Sequence, residues 1–159
     1  MTLVFAQGFD GKTAKLGDFT FEVTEASIAT ATGLPCTGER WFKNKLVRAI
    51  DCNGFLMEGH QELDWSKGIP RRWVQPRYRD LLMAIQNFIT CEGRYGITLL
   101  YHVRFLLHFH GEQPLNLPYL LLRSLTKMAL KFQHNPTNLA NCLFHHGLVK
   151  FFIEAQLKS

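Results

Sequence analysis

Between Gly93 and Ile153 this chain carries a single acidic side chain, Glu112. The shortage belongs to one half. Residues 1–80 hold eleven Lys/Arg against ten Asp/Glu, a balance of +1, and residues 81–159 hold seven against three, a balance of +4. A basic half with almost no acids points to a polyanionic partner, DNA or RNA on one side or an acidic protein on the other. Other features are also scarce. The four cysteines, Cys36, Cys52, Cys91 and Cys142, form no CxxC pair, so zinc ribbons and knuckles are excluded. The longest apolar stretch, Ile97–Phe109, is interrupted by His102, Arg104 and His108 and is too short to cross a bilayer, so no membrane partner is expected. The first residues lack a basic region followed by an apolar one, so no signal peptide is expected. Reduced cysteines and a nuclear or cytoplasmic location follow as expectations.

What is present describes a folded chain. A hydrophobic fraction of 47% with 19% charged residues is globular, not disordered. One domain over 1–159 is expected, large enough to fold without a metal or disulfide staple. Thirteen Phe residues predict a bulky core.

In "GDFTFEV" (17–23), Phe19, Phe21 and Val23 alternate with Asp18, Thr20 and Glu22, the pattern of a half-buried strand. A partner strand is placed within Leu3–Phe9, with Asp10-Gly11 as the turn, giving a β element over about residues 3–23. Thr24 reads as an N-cap for a short helix over Glu25–Thr32, closed by Gly33 and Pro35. Residues 37–64 show no clear period, although Asp51 suits the cap of a short helix through Met57. Lys67–Pro70 breaks the chain.

From Gln75 the pattern turns helical. Leu81, Leu82, Ile85, Phe88 and Ile89 share one face of a regular helix. "YGITLLYHVRFLLHF" (95–109) is apolar nearly all round and predicts a buried central helix. Next, Pro118 suits a first helical turn, and Leu121, Leu122, Leu125, Met128, Ala129 and Phe132 form an inner stripe. A last helical region covers 139–157, broken or kinked at Gly147. The expected fold is mainly α: five or six helices over about residues 25–157, with a small N-terminal β-hairpin-like element.

Two basic features stand out. Arg123, Lys127 and Lys131 recur at i, i+4 and i+8 and so lie on one helix face, with no acid nearby in sequence. Like charges at this spacing cost roughly 0.2–0.5 kcal/mol per pair, which a polyanion would offset. The alternative is an ordinary solvated face. The second feature is "GIPRRWVQPRYRD" (68–80), with Arg71, Arg72, Arg77 and Arg79 beside Trp73 and Tyr78. Guanidinium forks suit phosphate and the aromatic rings suit bases. Its position before an amphipathic helix, with Glu62, Asp64 and Asp80 nearby, favours a structural joint with packed Trp73 and partly paired arginines.

Catalytic and metal chemistry find weaker footing. Cys142, His145 and His146 fall on one helix face, but no fourth ligand is visible and no metal or cofactor is expected. Cys91 sits at a helix end beside Glu92, where a thiol is not activated, so the chain is read as no enzyme. His102, His108 and His110 read as core or boundary histidines.

The segments "GDFTFEVTEASIATATGLPCTGERWF", "DWSKGIPRRWV", "FITCEGRYG", "LLYHVRFLLHF", "LNLPYLLLRSLTKM" and "LFHHGLVKFFIEAQL" occur in this order over about residues 17–157. In them the chain resembles a family of plant retroelement-derived, transposon-associated proteins. The strand–helix–"GLP" opening is also distantly similar to the aminotransferase-like plant mobile domain. The first resemblance implies a plant source and a mobile-element setting, with dealings in DNA, RNA or element-encoded proteins. It carries over no catalytic residue. The sequence has no aspartic-protease Asp-Thr-Gly or Asp-Ser-Gly, no reverse-transcriptase Tyr-x-Asp-Asp and no CCHC knuckle. The helical pattern does not suit an RNase H-like integrase. The resemblance therefore implies an accessory or structural piece of an element; the chain ends soon after the last matching segment, and a fragment of a longer product is the expectation. Two functions remain open on the residues: nucleic-acid association through the basic C-terminal half, or protein interaction and capsid-like self-association.

Overall fold

The computed structural model describes residues 2–40, 49–60, 64–90, 96–110, 114–137 and 146–157. The fold is mainly helical, with six α-helices among the described residues and a small antiparallel hairpin near the N-terminus. The chain divides into two units, residues 1–36 with 116–159, and residues 37–115.

The first unit opens with a helix, α1 (Thr2–Gly8), where a strand was expected within Leu3–Phe9. Phe5 and Ala6 are buried in α1 while Leu3 and Val4 are exposed. A one-sided helical stripe in so short a run is hard to tell from a strand by periodicity alone. The strand over 17–23 instead pairs with its immediate predecessor. β1 (Thr13–Leu16) and β2 (Phe19–Glu22) are antiparallel, with Leu16 opposite Phe19 and Thr13 opposite Glu22. Gly17, at φ +60°, supplies the left-handed conformation that this tight turn needs. Asp10 is the N-terminal anchor of the hairpin, not its turn. Its carboxylate accepts from the Lys12 amide at 2.8 Å, the Thr13 amide at 2.6 Å and the Thr13 hydroxyl at 2.7 Å. These bonds to the charged form lower its pKa to about 2.

Helix α2 (Glu25–Thr32) follows as predicted. Thr24 and Ser27 form a reciprocal capping box, and Gly33 closes the helix at φ +72°. Helix α5 (Leu117–His134) is capped by Asn116, which accepts from the Tyr119 amide at 2.9 Å and donates to Glu25 at 3.1 Å. The predicted inner stripe holds. Leu121, Leu125, Met128, Ala129 and Phe132 are buried and Leu122 packs at their margin. The last helix, α6, runs over His146–Leu157, so Gly147, where a break or kink is expected, lies within its first turn; residues 139–145 of the expected helical region lie outside the described residues.

These elements share one aromatic-rich core. The ring of Phe21 lies 6.5 Å from Phe5 and 5.8 Å from Phe152, joining hairpin, α1 and α6. Such ring pairs add about 0.5–1.5 kcal/mol beyond area burial. Gln133 of α5 donates to the carbonyls of Ala6 and Phe9, each at 2.8 Å, and so satisfies the end of α1. Thr2 and His146 meet at 2.8 Å between hydroxyl and Nδ1.

The second unit has no strand longer than two residues among those described. Its frame is α3 (Pro76–Ala84), continuing as a π-helix over Ile85–Thr90, with α4 (Leu100–His110). Pro76 opens α3 as expected, since the first helical turn needs no N–H there. β3 (Ile69–Pro70) pairs with β4 (Ile97–Thr98), so the predicted central helix over 95–109 begins five residues late. The described part of the stretch without sequence period holds one 3-10 segment, Ala49–Phe55, and two more, Trp65–Lys67 and Arg71–Trp73, follow it. Asp51 lies inside the first of these. Phe55 stacks edge-on against Tyr78 with ring centroids 4.9 Å apart.

The π-helix overturns one part of the predicted helical stripe. Leu82 and Ile85 are buried, but Phe88 is 73% exposed, while Gln86 and Thr90 turn inward. A π turn holds more residues than an α turn, so the register slips and polar residues take the core positions.

Candidate nucleic-acid interface

Helix α5 has 18 residues, and its two sides differ sharply. The inner stripe is buried, and Arg123, Lys127 and Lys131 are all exposed on the opposite side. From Arg123 to Lys131 the helix rises about 12 Å. Lys131 and His134 also occupy the last turn, where the negative end of the helix dipole favours cations. The three predicted contacts are thus displayed as one row on a rigid element whose other side is fixed by the core. Chemically, such a row can bind phosphate oxygens without reading bases.

The arginines of residues 68–80 divide into two pairs. Arg71 and Arg79 are half-buried and turned to internal work. Arg71 donates to the Gln86 side-chain oxygen at 2.6 Å. Arg79 donates to the carbonyls of Val74 and Arg72 at 2.8 and 2.7 Å, tying the 3-10 turn to the start of α3. Arg72 and Arg77 are exposed, Arg77 lying over the Tyr78 ring at 4.7 Å and donating to Gln75 at 3.0 Å. Trp73 stacks on His60 with centroids 4.6 Å apart and planes within 12°, so the ring is engaged within its own unit. The expected joint is seen, but with different partners. The arginines meet carbonyls and carboxamides, while Asp64 caps the Trp65–Lys67 turn through Ser66 and Glu62 lies outside the described residues.

Sequence reasoning missed a buried polar cluster in the second unit. Gln86 accepts from Arg71, donates to the Ile97 carbonyl at 2.7 Å and approaches His102 Nδ1 at 3.4 Å. His102, Gln86 and Thr90 are all buried. The signal was available only as polar residues at helix positions that a regular register turns outward. The sequence predicts His102 as a core or boundary histidine, and it is buried with hydrogen-bond partners. His108 is also buried. Desolvation lowers its pKa, while the Glu39 carboxylate opposes that shift. The side chain of His110, and Cys91, Cys142 and His145, lie outside the described residues. Among the described residues no group of three or more His, Cys, Asp or Glu side chains is placed to hold a metal ion, and no helix is long and apolar enough to cross a membrane.

The first unit also has a cavity of about 430 Å³. Leu16, Phe19 and Phe21 of the hairpin, Val4 of α1, and Ile153 and Leu157 of α6 line it, with Gln156 the one polar side chain. Phe19 lies here and is 53% exposed, although the alternating pattern assigns it to the same face as Phe21 and Val23. The apolar face of the sheet runs past the helices that cover it.

No protein-family model, no curated protein and no solved structure matches this chain.

Proposed function

We propose that this chain is a non-catalytic accessory module of a plant mobile element that associates with nucleic acid through the outer face of α5. The mobile-element setting comes from the sequence resemblance. The contact face rests on one observation: Arg123, Lys127 and Lys131 are exposed together along about 12 Å of a helix anchored by its buried side. That length of duplex axis carries about seven phosphate charges. Binding of this kind is governed by counterion release, with modest affinity and little sequence preference. Arg72 and Arg77 are secondary contacts. Arg71 and Arg79 support them by holding the segment's shape.

The test is fluorescence anisotropy with single- and double-stranded DNA and RNA across a salt series. Three phosphate contacts give a log–log salt slope of about −2 to −3. Charge reversal of Arg123, Lys127 and Lys131 should remove most of the binding. Binding that survives the reversal, or that is weaker than ordinary non-specific association at low salt, sinks the reading. A second reading, protein interaction without nucleic acid, is supported by the apolar cavity rimmed by Val4, Phe19 and Leu157.

A further inference from the structure

The two edges of the hairpin differ. The outer edge of β1 is closed by its own chain: Phe9 bridges Ala14, and the Asp10 amide donates to the Thr13 carbonyl at 3.0 Å. A Cβ at Gly8 would overlap the Lys15 carbonyl, so α1 also ends against this edge. Among the described residues β2 pairs with β1 alone. Antiparallel strands alternate residues that face the partner with residues that face away. The Val23 amide donates to the Lys12 carbonyl at 2.6 Å, which turns Val23, Phe21 and Phe19 toward β1. Thr20 and Glu22 therefore direct their amides and carbonyls outward, and among the described residues no backbone group bonds them there.

We infer that the open edge of β2 pairs with β2 of a second copy, making a two-fold dimer with a four-stranded sheet, β1-β2-β2-β1. A second copy presents the same outward edge, so the surface is self-complementary, and the charges choose the register. With Thr20 opposite Glu22 of the second copy, each pair exchanges two backbone hydrogen bonds, four in all. Slipping by two residues one way sets Glu22 against Glu22, and the other way sets Glu22 against Asp18. Like charges directly opposite are unfavourable, so only one antiparallel register joins the outward amides without that penalty. In this register Phe21 faces Phe21 across the two-fold axis, and Phe19 faces Val23 of the second copy. The apolar face beside the cavity continues across the interface, giving half-exposed Phe19 a covered position. Doubling the sheet removes the one open edge of the hairpin.

This inference is independent of nucleic-acid binding, whose failure would leave it standing. Sedimentation velocity over a concentration series tests it. A reversible dimer is expected. Thr20→Lys sets a cation against Glu22 and tightens it, and Thr20→Glu loosens it. The two variants should differ by about tenfold or more in dimerisation constant. Thr20→Pro removes an outward N–H that the hairpin's own ladder does not use, so it should abolish the dimer while the circular dichroism spectrum is kept. A chain that stays monomeric up to its solubility limit overturns the inference. So does a folded Thr20→Pro variant that dimerises like the parent, or Lys and Glu variants that shift the constant in the same direction. Should Thr20→Pro fail to fold, the Lys/Glu comparison decides.

Discussion

The Nε2 atom of His102 lies 3.0 Å from the Thr90 hydroxyl, and both residues are buried. On the other side of the ring the Leu99 amide, which can only donate, reaches Nδ1 at 3.3 Å. An acceptor at Nδ1 with the proton on Nε2 is the neutral tautomer these partners favour. The imidazole thus joins the π-helix to the start of α4. We expect His102→Ala to cost roughly 2–4 kcal/mol, because it opens a cavity and leaves buried donors without acceptors. Thr90→Val, which keeps shape and removes the hydroxyl, should cost about 1 kcal/mol. Urea denaturation of the two variants measures both. Equal and negligible effects would contradict the arrangement.

The register slip in the π-helix gives a second contrast. Phe88→Ser should change stability by no more than about 0.5 kcal/mol, as for other exposed positions. Leu82→Ala, at a fully buried site in the same run, should cost about 2–5 kcal/mol. A regular α-helix would instead make Phe88 costly, so thermal melts of this pair report the helix type.

The two arginine pairs separate stability from binding. Arg79→Ala should lower stability by about 1–2 kcal/mol, since it frees the Val74 and Arg72 carbonyls that hold the turn before α3. Arg72→Ala should leave stability within about 0.5 kcal/mol and lower nucleic-acid affinity only slightly. Denaturation and anisotropy on the same samples resolve the two effects. An Arg79 variant of unchanged stability would mean that its hydrogen bonds contribute nothing net.

The two units should respond to acid in different windows. Asp10 is depressed to about 2 from an ordinary 3.8, so the folded state prefers its charged form. Its contribution is present above pH 3.8 and disappears as pH falls through about 2. Asp10→Asn should therefore narrow the gap to the parent only within that window. His108 is also depressed, from 6.5, by burial. The unfolded state then binds the proton more readily, so this contribution is complete above pH 6.5 and is lost as pH falls toward the folded value. NMR titration of the Asp10 carboxyl and the His108 ring checks both. A His108 that titrates above 6.5 would reverse the sign.

Legibility in the sequence followed the range over which each signal acts. The α2 cap, its glycine stop, the start of α3 at Pro76 and the buried stripe of α5 are set by neighbours within one or two turns, and all were readable. The pairing of β2 was misplaced because α1 is seven residues long, too short for its period to declare itself. Phe88 was assigned inward because a π turn leaves no mark in a pattern read at 3.6 residues per turn. The row Arg123, Lys127 and Lys131 is visible from spacing alone, and all three residues are exposed on α5. The inward roles of Arg71 and Arg79 depend on carbonyls and a carboxamide brought near by tertiary folding, which spacing does not encode.

The first unit is assembled from both flanks of the second: residues 1–36 complete their core with residues 116–159. During synthesis, residues 37–115 have all emerged before α5 and α6 exist. Phe5, Phe9 and Phe21 must wait for Leu125, Phe132 and Phe152 to leave the ribosome. At about 5–20 residues per second that delay lasts roughly 5–30 seconds, with an apolar helix and an open hairpin uncovered. The nascent chain therefore stays exposed to chaperone capture and aggregation until α5 and α6 have emerged, and the second unit is the part able to fold first.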